Sequence, residues 1–298
     1  MQKITLRSII IISVALLLAG LMALANQAHS VQWNGYSLYA VLGVIAFVIQ
    51  WIAFVPAYKF QTEHFYDLTG SLTYLTVIIF GLVLGGGSGN PRALLVSVLV
   101  IVWSLRLGSF LFLRIRKDGK DTRFDEIKPV FSRFLGAWTL QGLWVYLTLA
   151  AALVILTSTK NVPLDGFAYA GLAVWIFGFV IEVLSDQQKR AFRKVPANKG
   201  RFIQSGLWAW SRHPNYFGEI TLWVGVFIIS IPVLVGWQWI AIISPVFVYL
   251  LITRMSGVNM LEEIADKRWG GEPEYEAYKA NTPELLLKPP KASPNSSS

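Results

Sequence analysis

Eight apolar stretches, at roughly 8–25, 35–55, 70–87, 93–113, 134–157, 166–184, 215–233 and 237–253, restrict the folds open to this chain. Crossing about 30 Å of hydrocarbon takes about 20 apolar residues of helix, and these stretches have close to that length. No water reaches the peptide groups there, so each stretch has to close its own hydrogen bonds as a helix. The expected fold is an all-α, polytopic transmembrane helix bundle of about 7–8 spans. Hydrophobic residues make up 54% of the sequence and charged ones only 14%, so lipid has to cover surface that a soluble protein would keep polar.

Basic residues divide unevenly between the ends of these helices. Segments 114–133 and 189–212 carry seven Lys or Arg each, the tail from Arg254 carries six, and Lys3, Arg7 and Lys59 fall on the same side. Arg92 and Lys160 fall on the other side, while Arg106 lies inside a span. The 23-to-2 asymmetry places both termini in the cytoplasm. It also explains the formal charge of +9 as topology, with no nucleic acid implied. The first stretch has features of a signal peptide, because Lys3 and Arg7 precede it and Ala23-Leu24-Ala25 offers a small-residue cleavage site. It is long for that role and its loss would leave an odd number of spans, so a retained helix is expected.

Several chemistries are excluded early. The chain has no Cys, which removes disulfides, iron–sulfur clusters and thiolate catalysis. His29, His64 and His213 lack metal-ligand spacing, so no metal site is expected. Gly85-Gly86-Gly87-Ser88-Gly89 follows a span rather than a strand and reads as a flexible turn, not a phosphate cradle. No internal repeat or soluble-domain linker is visible. The chain therefore reads as one membrane domain over 1–288, ending in a Pro-, Lys- and Ser-rich tail, 289–298, of disordered character.

The densest polar constellation runs from Glu182 to Glu219. Asp186, Arg190 and Arg193 share one face if the sixth helix continues past the membrane. Taken alone they read as an exposed, charged extension. Glu182 lies one turn deeper, where a carboxylate is costly and normally faces a polar cavity. Pro214 suits the first turn of a helix, so the seventh span should begin at His213-Pro214. The free N–H groups of that helix start, with Arg212 beside them, make a site for phosphate or carboxylate. Asn215 and Glu219 fall four apart on one face, and Gly218 permits close approach by a ligand or a neighbouring helix. A third group follows Arg254: Glu262-Glu263, Tyr275 and Tyr278, on a tail that starts as an amphipathic helix from Met260 to Trp269. A fourth comprises Trp103, Arg106 and Phe110 with the run Arg114, Arg116, Lys117, Asp118, Lys120, Asp121 and Arg123. Arg106 either snorkels or pairs, with Asp67 or Glu182 as partners.

The pattern S-G-L-W-x-W-S-R-H-P-N-Y-F-G-E, followed by a span and R-x-S-G-V-x-x-L-E-E, resembles the steroid 5-alpha reductase-like superfamily, specifically its bacterial branch of membrane proteins. Phe65-Tyr66-Asp67, Arg106 with its basic loop, Asp121-Thr122-Arg123-Phe124, Gln141 and everything from Asp186 to Tyr278 share the likeness. The resemblance implies a multi-pass protein of the bacterial inner membrane whose site opens to the cytoplasm, with an NADPH-binding part at about 182–280. Carried over by motif, the cofactor contacts would be Asp186, Arg190, Arg193, Arg212, His213, Asn215, Tyr216 and Glu219, with Arg106 and Arg254 added. The implied reaction is NADPH-dependent reduction of an enone-like C=C bond in a lipophilic, steroid- or isoprenoid-like small molecule, with no protein partner. The likeness weakens at the catalytic acid. Trp103 stands where the family has Tyr, no adjacent Gln-Glu pair occurs, and Val258 and Glu262 replace its His and Tyr. Asp67, Glu63 and Tyr74 are the candidate acids. The alternative is an S-adenosylmethionine-dependent methyltransferase of the isoprenylcysteine or phospholipid type. It would use Arg212-His213-Pro214, Tyr216, Gly218 and Glu262-Glu263. A non-catalytic transporter or lipid scaffold is the third reading.

Overall fold

The computed structural model describes residues 5–118 and 124–290. Helices α1 (Leu6–Asn26), α2 (Leu38–Lys59), α3 (Tyr66–Leu84), α4 (Pro91–Asp118), α5 (Phe131–Thr148), α6 (Ala150–Thr157), α7 (Gly166–Lys194), α8 (Pro214–Ser230) and α9 (Ile243–Leu250) carry the apolar sequence. Beyond them come a π-helical turn, Leu251–Ser256, and two polar helices, α10 (Val258–Trp269) and α11 (Pro273–Asn281). A two-residue ribbon, Gln32–Trp33 against Tyr36–Ser37, turns through Asn34 and Gly35, both at positive φ. Among the described residues seven helices are long and apolar enough to cross a membrane, eight if α5 and α6 form one bent span. This is an all-α, multi-pass membrane protein. Lys120, Asp121 and Arg123, with the Asp121-to-Phe124 motif up to Arg123, lie outside the described residues, as does the tail from 291.

Local chemistry sets the helix ends. Asn90 caps α4, its Oδ1 accepting from Arg92 N (3.0 Å) and Ala93 N (3.2 Å), with Pro91 at the first helical position. Asp165 caps α7 through Ala168 N (3.0 Å). The expected unbroken span at 134–157 is instead bent by 59° after Thr148. The bend frees backbone acceptors, and Ser244 Oγ donates to Thr148 O at 2.5 Å. All eight residues of α6 are buried.

The chain divides into two compact units. The first, Met1–Tyr169 with Val226–Ser244, holds α1 to α6. Its interior includes an aromatic cluster in which Phe134 and Trp138 are wholly buried against Phe54 and Phe124. The outward faces of its helices carry exposed Leu17, Val44, Ile52 and Val83, which suits lipid contact. Within this unit Arg92 is completely buried. Its guanidinium donates to Val162 O (3.2 Å), Ile229 O (2.6 Å) and Pro163 O (2.7 Å) and pairs with Asp165 Oδ1 at 2.9 Å.

The second unit is Ala170–Gly225 with Pro245–Ser298. Here α7 and α8 touch backbone to backbone along a glycine seam. A Cβ at Gly178 would lie 2.5 Å from Leu222 N and 2.6 Å from Gly218 O. At Gly218 it would lie 2.6 Å from both Glu182 N and Gly178 O, and at Gly225 2.7 Å from Gly171 O and Trp175 N. Only glycine fits at those three positions, and small residues of this kind are what let membrane helices approach closely. The close approach that Gly218 permits is therefore to a helix, not to a ligand.

Candidate functional site

The second unit contains a cavity of about 430 Å³, within the usual range for small-molecule pockets. Its elements come from three places: the end of α7, the loop from Val195 to His213, and α10–α11. Loop and helices are stapled together by side-chain bonds to backbone. Trp269 Nε1 donates to Gly200 O (2.7 Å), Tyr278 OH to Trp208 O (2.7 Å) and Trp208 Nε1 to Ser185 O (3.0 Å). Phe202 fills the middle of an aromatic wall, with ring centres 5.6 Å from Trp269, 5.4 Å from Tyr275 and 5.4 Å from Tyr278. Tyr275 OH donates to Asp266 Oδ1 (2.8 Å), and burial together with this bond raises its phenol above the ordinary tyrosine range. Burial likewise raises that of Tyr278.

The cavity is strongly basic. Lys189, Arg193, Lys199, Arg201, Arg212 and Arg268 line it against a single lining carboxylate, Glu262. Arg193, Lys199, Arg201 and Arg268 are exposed, while Lys189 and Arg212 are partly buried. The Lys189 ammonium stands 4.2 Å over the Trp208 ring. Glu262 is held from both sides: Arg212 Nη1 donates to Oε2 at 2.5 Å, and His213 Nε2 lies 2.7 Å from Oε1. The His213 ring stacks on Tyr216 with centres 5.7 Å apart. The C-terminal segment then straps this corner, as Arg212 N donates to Pro283 O (2.9 Å), Ser211 Oγ to Leu285 O (2.9 Å) and Lys288 N to Trp210 O (3.0 Å).

Of the residues expected at a cofactor site, Arg193, Arg212 and His213 line this cavity. Asp186, Arg190, Asn215, Tyr216, Glu219 and Arg254 belong to the same unit without lining it, and Arg254 is exposed on the π-helical turn. Arg106 belongs to the first unit, with its guanidinium 5.6 Å from the Phe110 ring centre. The candidate acids are in the first unit too. Glu63 is buried in an ion pair with Lys128, Asp67 sits in the first turn of α3, and Tyr74 meets Trp103 edge-on at 5.1 Å. Glu262, Tyr275 and Tyr278 of the third polar group line the cavity, whereas Lys189, Lys199, Arg201, Arg268 and Phe202 were not singled out by the sequence. For those in the loop the signal is the alternation of basic and aromatic residues through 189–212, which charge counting absorbs as topology.

Fold and site together define a multi-pass helical membrane protein with a basic, aromatic-walled cavity built from the end of one span and its flanking polar segments. The chain belongs to the family described as "Protein of unknown function (DUF1295)", whose model matches residues 53–282 and so takes in the whole cavity. That finding overturns the assignment to the steroid 5-alpha reductase-like superfamily: the Arg212-to-Glu219 motif on which it rested lies inside the matched region of this other family. An uncharacterized protein of Schizosaccharomyces pombe is 22% identical over 226 residues, covering 66% of this chain and 65% of its own length. The chain thus spans just under two thirds of that relative. No solved structure matches.

Proposed function

We propose that the chain is a membrane-embedded oxidoreductase that binds NADPH in the basic cavity and reduces a C=C bond of a lipophilic small molecule. The observation that carries the reading is the charge of the cavity lining: Lys189, Arg193, Lys199, Arg201, Arg212 and Arg268 face one carboxylate, beside an aromatic wall. A pyrophosphate and an additional phosphate call for such an array, and flat nicotinamide or adenine rings suit Phe202, Trp269 and the tyrosines. S-Adenosylmethionine carries a sulfonium cation and no phosphate, so the same array opposes it. The Lys and Arg distribution, 23 against 2, supports an opening on the cytoplasmic side, where the cofactor is available. Arg92, fully buried and paired with Asp165, is a structural charge, which sharpens that asymmetry. Apolar helices leave lipid as the route by which a lipophilic substrate arrives. The bound cofactor would supply a hydride to one carbon of the C=C bond and leave as NADP+, and the other carbon would take a solvent-derived proton. The protein's part is to hold the phosphates, stack the rings and exclude water.

Fluorescence titration of detergent-purified protein tests the reading. NADPH should bind more tightly than NADH, and both should weaken as ionic strength rises from 50 to about 500 mM, because rim cations are screened. Saturation by S-adenosylmethionine with no response to NADPH would transfer the site to a methyltransferase. A silent titration with either nucleotide would leave a non-catalytic lipid-binding role.

A further inference from the structure

Glu262 is out of place in a cavity suited to a polyanion. A carboxylate there repels phosphate, and every other charged lining group is a cation. It is nevertheless held in a fixed orientation, by Arg212 Nη1 on one oxygen (2.5 Å) and His213 Nε2 on the other (2.7 Å). Arg212 is steadied in turn by Glu284, at 3.6 Å from Nη2, and by the strap at Pro283. An ionised carboxylate has about four acceptor positions, two on each oxygen. Arg212 and His213 take one each, which leaves acceptor capacity on both oxygens of a side chain that is 17% exposed and lines the cavity. Paired acceptors about 2.2 Å apart on one rigid carboxylate match two neighbouring hydroxyls.

We propose that Glu262 is a specificity-determining residue that accepts hydrogen bonds from the vicinal diol of a nucleotide ribose, with Arg212 and His213 as its positioning residues. This rests on the NADPH reading and deepens it. The adenosine ribose of NADPH carries the extra phosphate, so its free vicinal diol is on the nicotinamide ribose. Glu262 therefore marks the nicotinamide end of the cavity, and the exposed cations Arg193, Lys199, Arg201 and Arg268 mark the phosphate end. Repulsion between Glu262 and phosphate then helps to set the direction in which the cofactor lies.

The test is a two-by-two binding experiment on the full chain in detergent. The ligands are NADPH and its analogue lacking both hydroxyls of the nicotinamide ribose, and the proteins are wild type and Glu262→Gln. In wild type, losing the diol should weaken binding about 10- to 100-fold, as expected for hydrogen bonds to a charged acceptor. In Glu262→Gln the two ligands should differ by less than about threefold, because the charged acceptor has gone. A purely structural latch would instead weaken both ligands equally and leave their ratio at the wild-type value, which overturns the proposal. Equal binding of both ligands by wild type would also overturn it, while leaving the NADPH reading intact. Binding of neither ligand by wild type defeats the NADPH reading, and this inference with it. Should Glu262→Gln fail to fold, Glu262→Asp serves in its place: the shortened acid keeps the charge, and the ratio should fall to an intermediate value.

Discussion

Arg92 provides the sharpest test of how this membrane fold holds itself together. Its guanidinium is completely buried and satisfies three backbone carbonyls, Val162 O, Pro163 O and Ile229 O, besides Asp165. Arg92→Met keeps the aliphatic length and removes every donor. Each charged hydrogen bond contributes about 1.5–3 kcal/mol net, so three sum to about 5–9 kcal/mol if nothing relaxes. Removal of one partner from a buried ion pair costs about 3–5 kcal/mol through the charge left uncompensated, and here the partly exposed Asp165 can turn to water, which brings the sum down toward that range. The expected loss is therefore about 3–5 kcal/mol, read from SDS-driven unfolding in mixed micelles. Asp165→Asn separates the ion pair from the carbonyl clamp. Asp165 is 37% exposed, and Asn can still cap α7 and accept from Arg92, so this variant should unfold close to wild type. The Arg92 bond also holds the Asp165 carboxyl below the ordinary aspartate range. Whatever stability Asp165 adds is thus present above the unfolded value and lost as pH falls through the depressed one. Two results would refute the reasoning: an Arg92→Met cost below about 1 kcal/mol, or equal damage from Asp165→Asn, which would make the ion pair the whole interaction.

Three further predictions follow from the second unit. Gly218→Ala sets a Cβ against two backbone atoms at 2.6 Å, which no rotamer change can relieve, and should cost about 1–3 kcal/mol and weaken NADPH binding; Gly136→Ala, which meets nothing within 4 Å, is the control and should be neutral or slightly stabilising in the same thermal unfolding assay. Trp208→Ala removes the ring beneath the Lys189 ammonium and the bond to Ser185 O, so isothermal titration should report weaker NADPH binding, while Trp237→Ala, at an 81% exposed ring, should leave it unchanged. Tyr275 stays protonated in the folded protein at pH values where an unfolded tyrosine ionises, so stability should decline as pH rises beyond 10.0, and Tyr275→Phe should flatten that decline when unfolding is followed by near-ultraviolet circular dichroism.

Sequence resolved the helices better than the site, and the reason lies in what each depends on. Span length and the start of α8 at Pro214 are local matters of apolar run length and proline chemistry, and the structure places that helix at Pro214–Ser230. The bend after Thr148 is not local, since it is stabilised by Ser244, 96 residues away. Arg92 illustrates the same limit in reverse. Counted as a flanking charge it is merely one of two on its side, yet its partners at Val162, Pro163, Asp165 and Ile229 make it a buried clamp. The motif from Arg212 to Glu219 was legible as polar chemistry at a helix start, but only its first two residues reach the cavity. Asn215, Tyr216 and Glu219 lie on α8 itself, past the end of the loop whose residues form that part of the lining.

That division also explains why a loop, and not a span, supplies most of the cavity. Within the second unit the seam at Gly178, Gly218 and Gly225 leaves no room for a ligand between α7 and α8 at those levels, since backbone atoms already touch. A polar molecule can be held only where the helices give way to irregular chain, and there the peptide groups need partners of their own. Trp269, Tyr278 and Trp208 supply those partners, each giving its polar hydrogen to a carbonyl of the loop or of α7 and presenting an aromatic surface to the cavity. The same side chains thus fix the loop and shape the wall. Cations could then be spread over the exposed rim at little cost in folding, because water and salt screen them until a ligand arrives. Glu262, the one anion of that lining, is held on its two oxygens by Arg212 and His213 and so stands as a fixed acceptor at one corner of an otherwise basic cavity.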